Sequence, residues 1–216
     1  MDGEDARDFD DAIWAEEDKN PHNTNGWRMI VAIADVAHYV SNGDPLDIDA
    51  RKRGNSVYFA DRVVPMLPEN LSNGLCSLKP NEDRGCLAVE ITIDKFGHKK
   101  SHRFIRGVMR SKARLTYEQL EETFNGNKNA CSPEIMKLAK SLRGAYNALS
   151  DAREKRGALN IETTEKVIKI NDNGKIDSIL PRERLESHKV IEEFMVTANV
   201  CLSLIHISEP TRRLCI

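Results

Sequence analysis

Asp2-Gly3-Glu4-Asp5-Ala6-Arg7-Asp8-Phe9-Asp10-Asp11-Ala12-Ile13-Trp14 opens the chain, with five aspartates placed directly ahead of apolar residues. Residues 1–18 hold nine acids against one base, Arg7. Carboxylates at this density repel one another unless a cation neutralises them. Hard divalent cations take oxygen ligands, and Mg²⁺ combines carboxylates with water and substrate phosphate. The stretch therefore points to a metal-dependent enzyme acting on phosphates. A solvated, disordered acidic tail is the competing reading. Phe9, Ile13 and Trp14 argue against it, as does Gly3, which permits a tight turn. Asp8 and Asp10 share parity, so an extended backbone sends both to one side. A helix-loop-helix calcium site is excluded, because the sixth position counted from Asp8 must be Gly and is Ile13.

Working outward, Ala12 to Ala15 and the near-continuous apolar run from Trp27 to Ala34 read as strands around a polar loop, the second strand buried. Asp44 and Pro45 are placed to cap and start a short helix over 46–53. Residues 63–78, with Pro65, Pro68 and Gly74, read as loop. Leu87 to Phe96 alternates as a strand, and Gly97 turns it into a second one over 102–110. Thr116 and Gln119 have capping-box spacing for a helix to Phe124. Ser132-Pro133-Glu134 starts a longer helix that runs to about Arg156 and stops at Gly157. A hairpin over 167–180 and a helix over 187–200, carrying Glu192 and Glu193, complete the pattern.

The chain has 216 residues and a net charge of −2, enough length for one large domain. No apolar run has bilayer length. The acidic start lacks the basic-then-apolar pattern of a secretory leader. The five cysteines, an odd number, make no close-spaced metal pair, so a reduced, cytoplasmic setting is expected. A monomer is expected as well. The small net charge hides an asymmetry: residues 95–114 hold eight Lys or Arg and no acid. Such a stretch holds a phosphate backbone in a nuclease, or is simply a solvated, strand-rich surface.

The segment from Asp2 to Ile13 resembles the signature of the ribonuclease II and ribonuclease R family, the RNB catalytic domain. Four further blocks extend the resemblance: Ile33-Ala-Asp35-Val-Ala-His-Tyr-Val, the run from Asp61 to Leu78, Ser111-Lys-Ala-Arg-Leu-Thr-Tyr117, and His188-Lys-Val-Ile-Glu192-Glu193-Phe-Met. Five ordered blocks over residues 1 to about 200 resemble the ribonuclease R branch most. The resemblance implies an α+β fold, a mixed β-sheet flanked by helices, and processive 3′→5′ hydrolysis of single-stranded RNA to nucleoside 5′-monophosphates with Mg²⁺. It places metal ligands at Asp2, Asp8 and Asp11, and at Asp10 the residue whose loss stops chemistry but not RNA binding. It makes Tyr58 a base-stacking aromatic, Tyr117 the residue that sets final product length, and Glu192 a ribose contact. Read alone, Tyr58 is first of all a strand or core tyrosine, and Glu192 a solvent-facing helix acid.

Two departures set further expectations. Ile161 stands where the family often has an aromatic clamp, and stacking contributes about 1–3 kcal/mol per base. The family's oligonucleotide-binding domains and its active-site arginine have no counterpart, so a fragment of little or no activity is expected, with residues 1–200 as a partial RNB domain. Residues 201–216 depart from the family and resemble translated sequencing adapter, and Pro210 would end any helix before it. An RNA-binding module without catalysis and a Mg²⁺-dependent small-molecule phosphatase are the rival functions.

Overall fold

The computed structural model describes residues 3, 6–59, 62–159, 166–171, 175–181 and 183–208. Its centre is a four-stranded sheet in the order β1 (Asp11–Glu17), β2 (Trp27–Ala34), β5 (Asp83–Ile93), β6 (Lys99–Arg110). Between β2 and β5 lie helix α1 (Pro45–Arg53), a small ribbon of β3 (Val57–Tyr58) and β4 (Val63–Val64), and a π-helical turn, Asn70–Leu75. Helices α2 (Tyr117–Phe124) and α3 (Pro133–Lys155), the hairpin of β7 (Lys166–Ile170) and β8 (Ile176–Pro181), and helix α4 (Glu186–Ser208) follow. The fold is α+β, as the resemblance implies. The paired strands run antiparallel throughout, and a parallel bridge between Pro80 and Ser111 supplies the parallel component.

Period-2 alternation sorts the sheet into two faces. Ala15, Met29, Val31, Val89, Ile91 and Ile93 form one face, covered by Leu142, Ala145 and Leu149 of α3 and by Val190, Phe194, Ala198 and Cys201 of α4. Phe194, Met29 and Ile91 are fully enclosed, and each side chain so buried contributes about 1.5–3 kcal/mol. Ala32, Cys86 and Ala88 form the other face, with Ala12, Ile30 and Met109 against them. Trp27–Ala34 reads as near-continuous apolar sequence because both its faces are covered. Helix α4 continues through the buried Cys201 to Ser208, beyond the 187–200 of the sequence pattern.

Local signals set the helix starts. Asp44 caps α1 by accepting from the Asp47 N–H, with Pro45 in the first turn. Thr116 and Gln119 form both hydrogen bonds of a capping box, and the Ser132 hydroxyl accepts from the Ile135 N–H at 3.4 Å. The expected loop over 63–78 instead contains β4 and the π-helical turn, whose carbonyls are partly held by Arg84.

Three arginines of the basic stretch 95–114 are charge-paired on β6. Arg103 pairs with Glu90 at 2.6 Å, Arg106 with Asp35 at 2.6 Å, and Arg110 with Asp83 at 2.7 Å. These guanidinium groups hold the Glu90, Asp35 and Asp83 carboxyls below the ordinary carboxylate range.

Two predictions follow from packing and charge. Gly97, at φ +79°, turns β5 into β6, and a Cβ there would lie 2.1 Å from the Ala148 carbonyl oxygen. Gly126, at φ +89°, has open space around it. Gly97→Ala is expected to destabilise the fold by about 2 kcal/mol or more, and Gly126→Ala by about 1 kcal/mol, in urea titrations. Equal effects would contradict the packing argument. The three lowered carboxyls bind protons less readily folded than unfolded, so their stabilisation is complete above the unfolded-state value near ~4 and is lost as pH falls through the folded values. The urea midpoint should drop between about pH 5 and about pH 3. Replacing Arg103, Arg106 and Arg110 by Gln should flatten that drop.

Candidate active site

The acidic segment is tied down on both sides of Asp8. Ser77 is fully buried; its hydroxyl accepts from the Phe9 N–H at 3.1 Å and donates to the Arg7 carbonyl at 3.1 Å. The Leu78 N–H donates to the Phe9 carbonyl at 2.8 Å, and the Ala34 N–H to the Asp10 carbonyl at 2.8 Å. Phe9 packs with Ala34, Leu71, Cys76 and Leu78. From outside, the Arg114 guanidinium lies 4.9 Å from the Phe9 ring centroid and donates to the Gly3 carbonyl at 3.0 Å. These contacts exclude the disordered-tail reading for residues 7–11. The carboxylates stand on a fixed backbone.

Asp8 is half-buried and Asp10 exposed. Tyr58, 68% exposed on the β3–β4 ribbon, lies beside Asp8 and within the field of both acids. Partial desolvation of the phenol and the charges of Asp8 and Asp10 push its pKa up. Three of the expected site residues therefore meet in one place, and the shared parity of Asp8 and Asp10 agrees with that placement. Asp11 begins β1 and lines an apolar cavity of about 350 Å³ with Ala12, Trp14, Ile30 and Met109. Asp2 and Ile161 lie outside the described residues.

The donor chemistry suits a hard cation, since the side chains offered by the segment are carboxylates. Among the described residues, however, no three His, Cys, Asp or Glu side chains converge closely enough to hold a metal ion. Burial pushes the Cys76 and Cys86 thiols up, with the charge of Asp35 adding to both and that of Asp10 to Cys76.

Tyr117 and Glu192 have a different set of neighbours. Tyr117 opens α2 and stacks on His188 of α4, ring centroids 4.0 Å apart and planes at 15°. The Leu185 N–H donates to His188 Nδ1 at 3.2 Å, which sets the ring's orientation. Glu192, one turn further along α4, is paired with Arg184. It opens onto a polar cavity of about 220 Å³ shared with Tyr146, Arg153 and Lys189. Its neighbour Glu193 turns inward, 5% exposed, and pairs with Arg153 at 3.1 Å.

Four residues of these surroundings are not legible as functional from sequence: Ser77, Asp35, Arg184 and His188. Ser77, Asp35 and His188 lie within the quoted blocks, yet a serine that brackets an aspartate 69 positions away carries no local signal. Arg184 is one of many arginines until the fold sets it beside Glu192.

Comparisons with known proteins show similarity in both sequence and fold. The RNB domain family matches residues 1–212. Ribonuclease R of Vibrio parahaemolyticus is 47% identical over 203 residues, covering 93% of this chain and 24% of that protein. Ribonuclease R of Escherichia coli is 44% identical over 202 residues, with the same coverage of 93% and 24%. Among solved structures, Mycoplasma genitalium RNase R in complex with ribose methylated single-stranded RNA superposes with a TM-score of 0.90 at 30% identity, covering 97% of this chain and 32% of that one. The chain thus spans about a quarter of the length of the curated relatives it matches. On sequence and on fold, the chain belongs to the RNB family.

Proposed function

We propose that the chain provides part of the active site of a 3′→5′ exoribonuclease that hydrolyses single-stranded RNA to nucleoside 5′-monophosphates. The observation that carries this reading is the meeting of Asp8, Asp10 and Tyr58: an exposed aromatic in the field of two carboxylates on a clamped backbone. Support comes from the family and from the relative solved with single-stranded RNA. A monomer acting in the cytoplasm is part of the proposal; no helix among the described residues is long and apolar enough to cross a membrane.

In this scheme Tyr58 offers its ring to a base near the 3′ end, a contact that tolerates any base because each has a π-face. Tyr117, braced by His188, limits how far the terminal nucleotide can enter. Glu192 accepts from the ribose 2′-hydroxyl, the group by which a site distinguishes RNA from DNA, once Arg184 releases it. Asp8 and Asp11, with Asp2, would hold Mg²⁺, which when bound supplies Lewis acidity at the phosphate and lowers the pKa of a bound water. Asp10 accepts a hydrogen bond from the attacking water and orients it for in-line displacement.

RNA binding without turnover by the chain alone is the second reading. It is favoured by the described carboxylates not converging on one point. One experiment separates the two: Mg²⁺-dependent release of 5′-nucleotides from 3′-labelled single-stranded RNA, alongside RNA affinity, for the chain and for Asp10→Asn. The proposal expects release to fall by about 100-fold or more in Asp10→Asn with affinity within about 2-fold. Binding without release in either protein supports the second reading. Equal release from both, or the absence of RNA binding, overturns the proposal. Where release occurs, Tyr117→Ala should leave longer end products.

A further inference from the structure

The polar cavity at Glu192 is lined by a second acid, Glu154, that the scheme above does not use. The cavity lies between the last turns of α3 and the first turns of α4. The buried pair of Arg153 with Glu193, at 3.1 Å, ties the two helices together at this level. Glu154 follows Arg153 on α3, and Glu192 precedes Glu193 on α4. One residue is a step of about 100° around a helix, so each of these acids is turned away from the buried pair. Both line the same cavity, Glu192 partly buried and Glu154 exposed.

The charges around the cavity are not equally committed. Arg153 is engaged by Glu193, and Arg184 by Glu192. Glu154 makes no ion pair among the described residues. A carboxylate offers two acceptor oxygens, and its bonds from hydroxyl donors are charge-assisted. At about 220 Å³ the cavity is smaller than the ~300 Å³ at which pockets for whole drug-sized ligands begin, and it admits a pentose ring. A cavity of this size with an acid on each side matches a sugar that presents two neighbouring hydroxyls. On an RNA strand that sugar is the terminal one. Every ribose carries a 2′-hydroxyl, whereas only the nucleotide at the 3′ end carries a free 3′-hydroxyl beside it.

We infer that Glu154 is a second ribose contact, accepting from the 3′-hydroxyl of the terminal nucleotide while Glu192 accepts from its 2′-hydroxyl. The inference rests on the RNA reading above and on the place of Glu192 in it. Glu192 exchanges Arg184 for the sugar, whereas Glu154 has no ion pair to give up. Glu192 reports that the strand is RNA, and Glu154 reports that its 3′ end is free. The Arg153–Glu193 pair keeps the two acceptors on a common frame, one helix supplying each.

The test is fluorescence anisotropy of the full chain, in EDTA to prevent turnover, with three 5′-labelled 12-nucleotide oligo(A) strands. Their last nucleotide is adenosine, 2′-deoxyadenosine or 3′-deoxyadenosine. The unaltered chain should bind each deoxy end about 5- to 100-fold more weakly than the ribose end. Glu154→Ala should bind the ribose end no better than the 3′-deoxy end, and still prefer ribose over the 2′-deoxy end. Glu192→Ala should show the converse. Glu154→Gln, which keeps a neutral acceptor, should restore part of the 3′ preference. If Glu154→Ala keeps the full 3′ preference, or loses the 2′ preference instead, the inference is wrong and the RNA reading stands. If Glu154→Ala weakens all three strands by one factor, its effect is on packing or overall charge and the inference fails. The inference fails too if the unaltered chain binds all three strands equally. If the unaltered chain binds none of them, both the inference and the reading beneath it are overturned.

Discussion

The hydroxyl of Ser77 is the constraint on which the site depends. It accepts from the amide on one side of Asp8 and donates to the carbonyl on the other, inside a region from which water is excluded. A buried hydroxyl or amide left without a partner costs about 1–3 kcal/mol, so these two bonds strongly favour a single backbone path through residues 7–9. Arg84 in turn donates to the Ser77 carbonyl at 3.1 Å, holding the clamp itself in place. Mutually repelling carboxylates are thereby kept close without relying on their own attraction to anything. The repulsion is carried by the sheet, through the Asp10 carbonyl on β2 and the Phe9 carbonyl on Leu78.

The distribution of charge follows a related logic. Each arginine of β6 is set against a carboxylate: Arg103 against Glu90, which Arg28 shares, Arg106 against Asp35 and Arg110 against Asp83. These pairs tie β6 to β5 and to the end of β2. On α4 the pairing has another use. Glu193 faces the core and is held by Arg153, while Glu192, next to it in sequence, is left at the surface with Arg184. One helix position thus divides two identical side chains between the core and the surface.

Much of the fold is legible in the sequence because its signals are local. Pro45 after Asp44, the Thr116–Gln119 pair and Ser132-Pro133 each set a helix start from within three residues. The alternation of Leu87, Val89, Ile91 and Ile93 gives the strand and the face that packs. The segment 63–78 was harder, because its conformation is held by Arg84 and by the Phe9 and Arg7 backbone, partners far away in sequence. The site divides in the same way. The density of aspartates is visible directly, and the parity of Asp8 and Asp10 places them together, but that Tyr58 reaches them requires the ribbon to fold back across some 50 residues. The stacking of Tyr117 on His188 and the pairing of Glu192 with Arg184 are likewise products of tertiary structure. That Arg103, Arg106 and Arg110 of the 95–114 segment are charge-paired could not be read from its own composition, since their acids lie on β5 and at the end of β2.

The account rests on the acidic segment being a fixed platform clamped by Ser77, and amide hydrogen exchange tests that most directly. In the unaltered chain the Phe9 and Leu78 amides should be protected to an extent comparable with the β2–β5 ladder. In Ser77→Ala the Phe9 amide should lose that protection while the ladder amides keep theirs. Exchange of the Phe9 amide at the rate of an unstructured peptide in the unaltered chain would contradict the account, because the aspartates would then be free of the sheet.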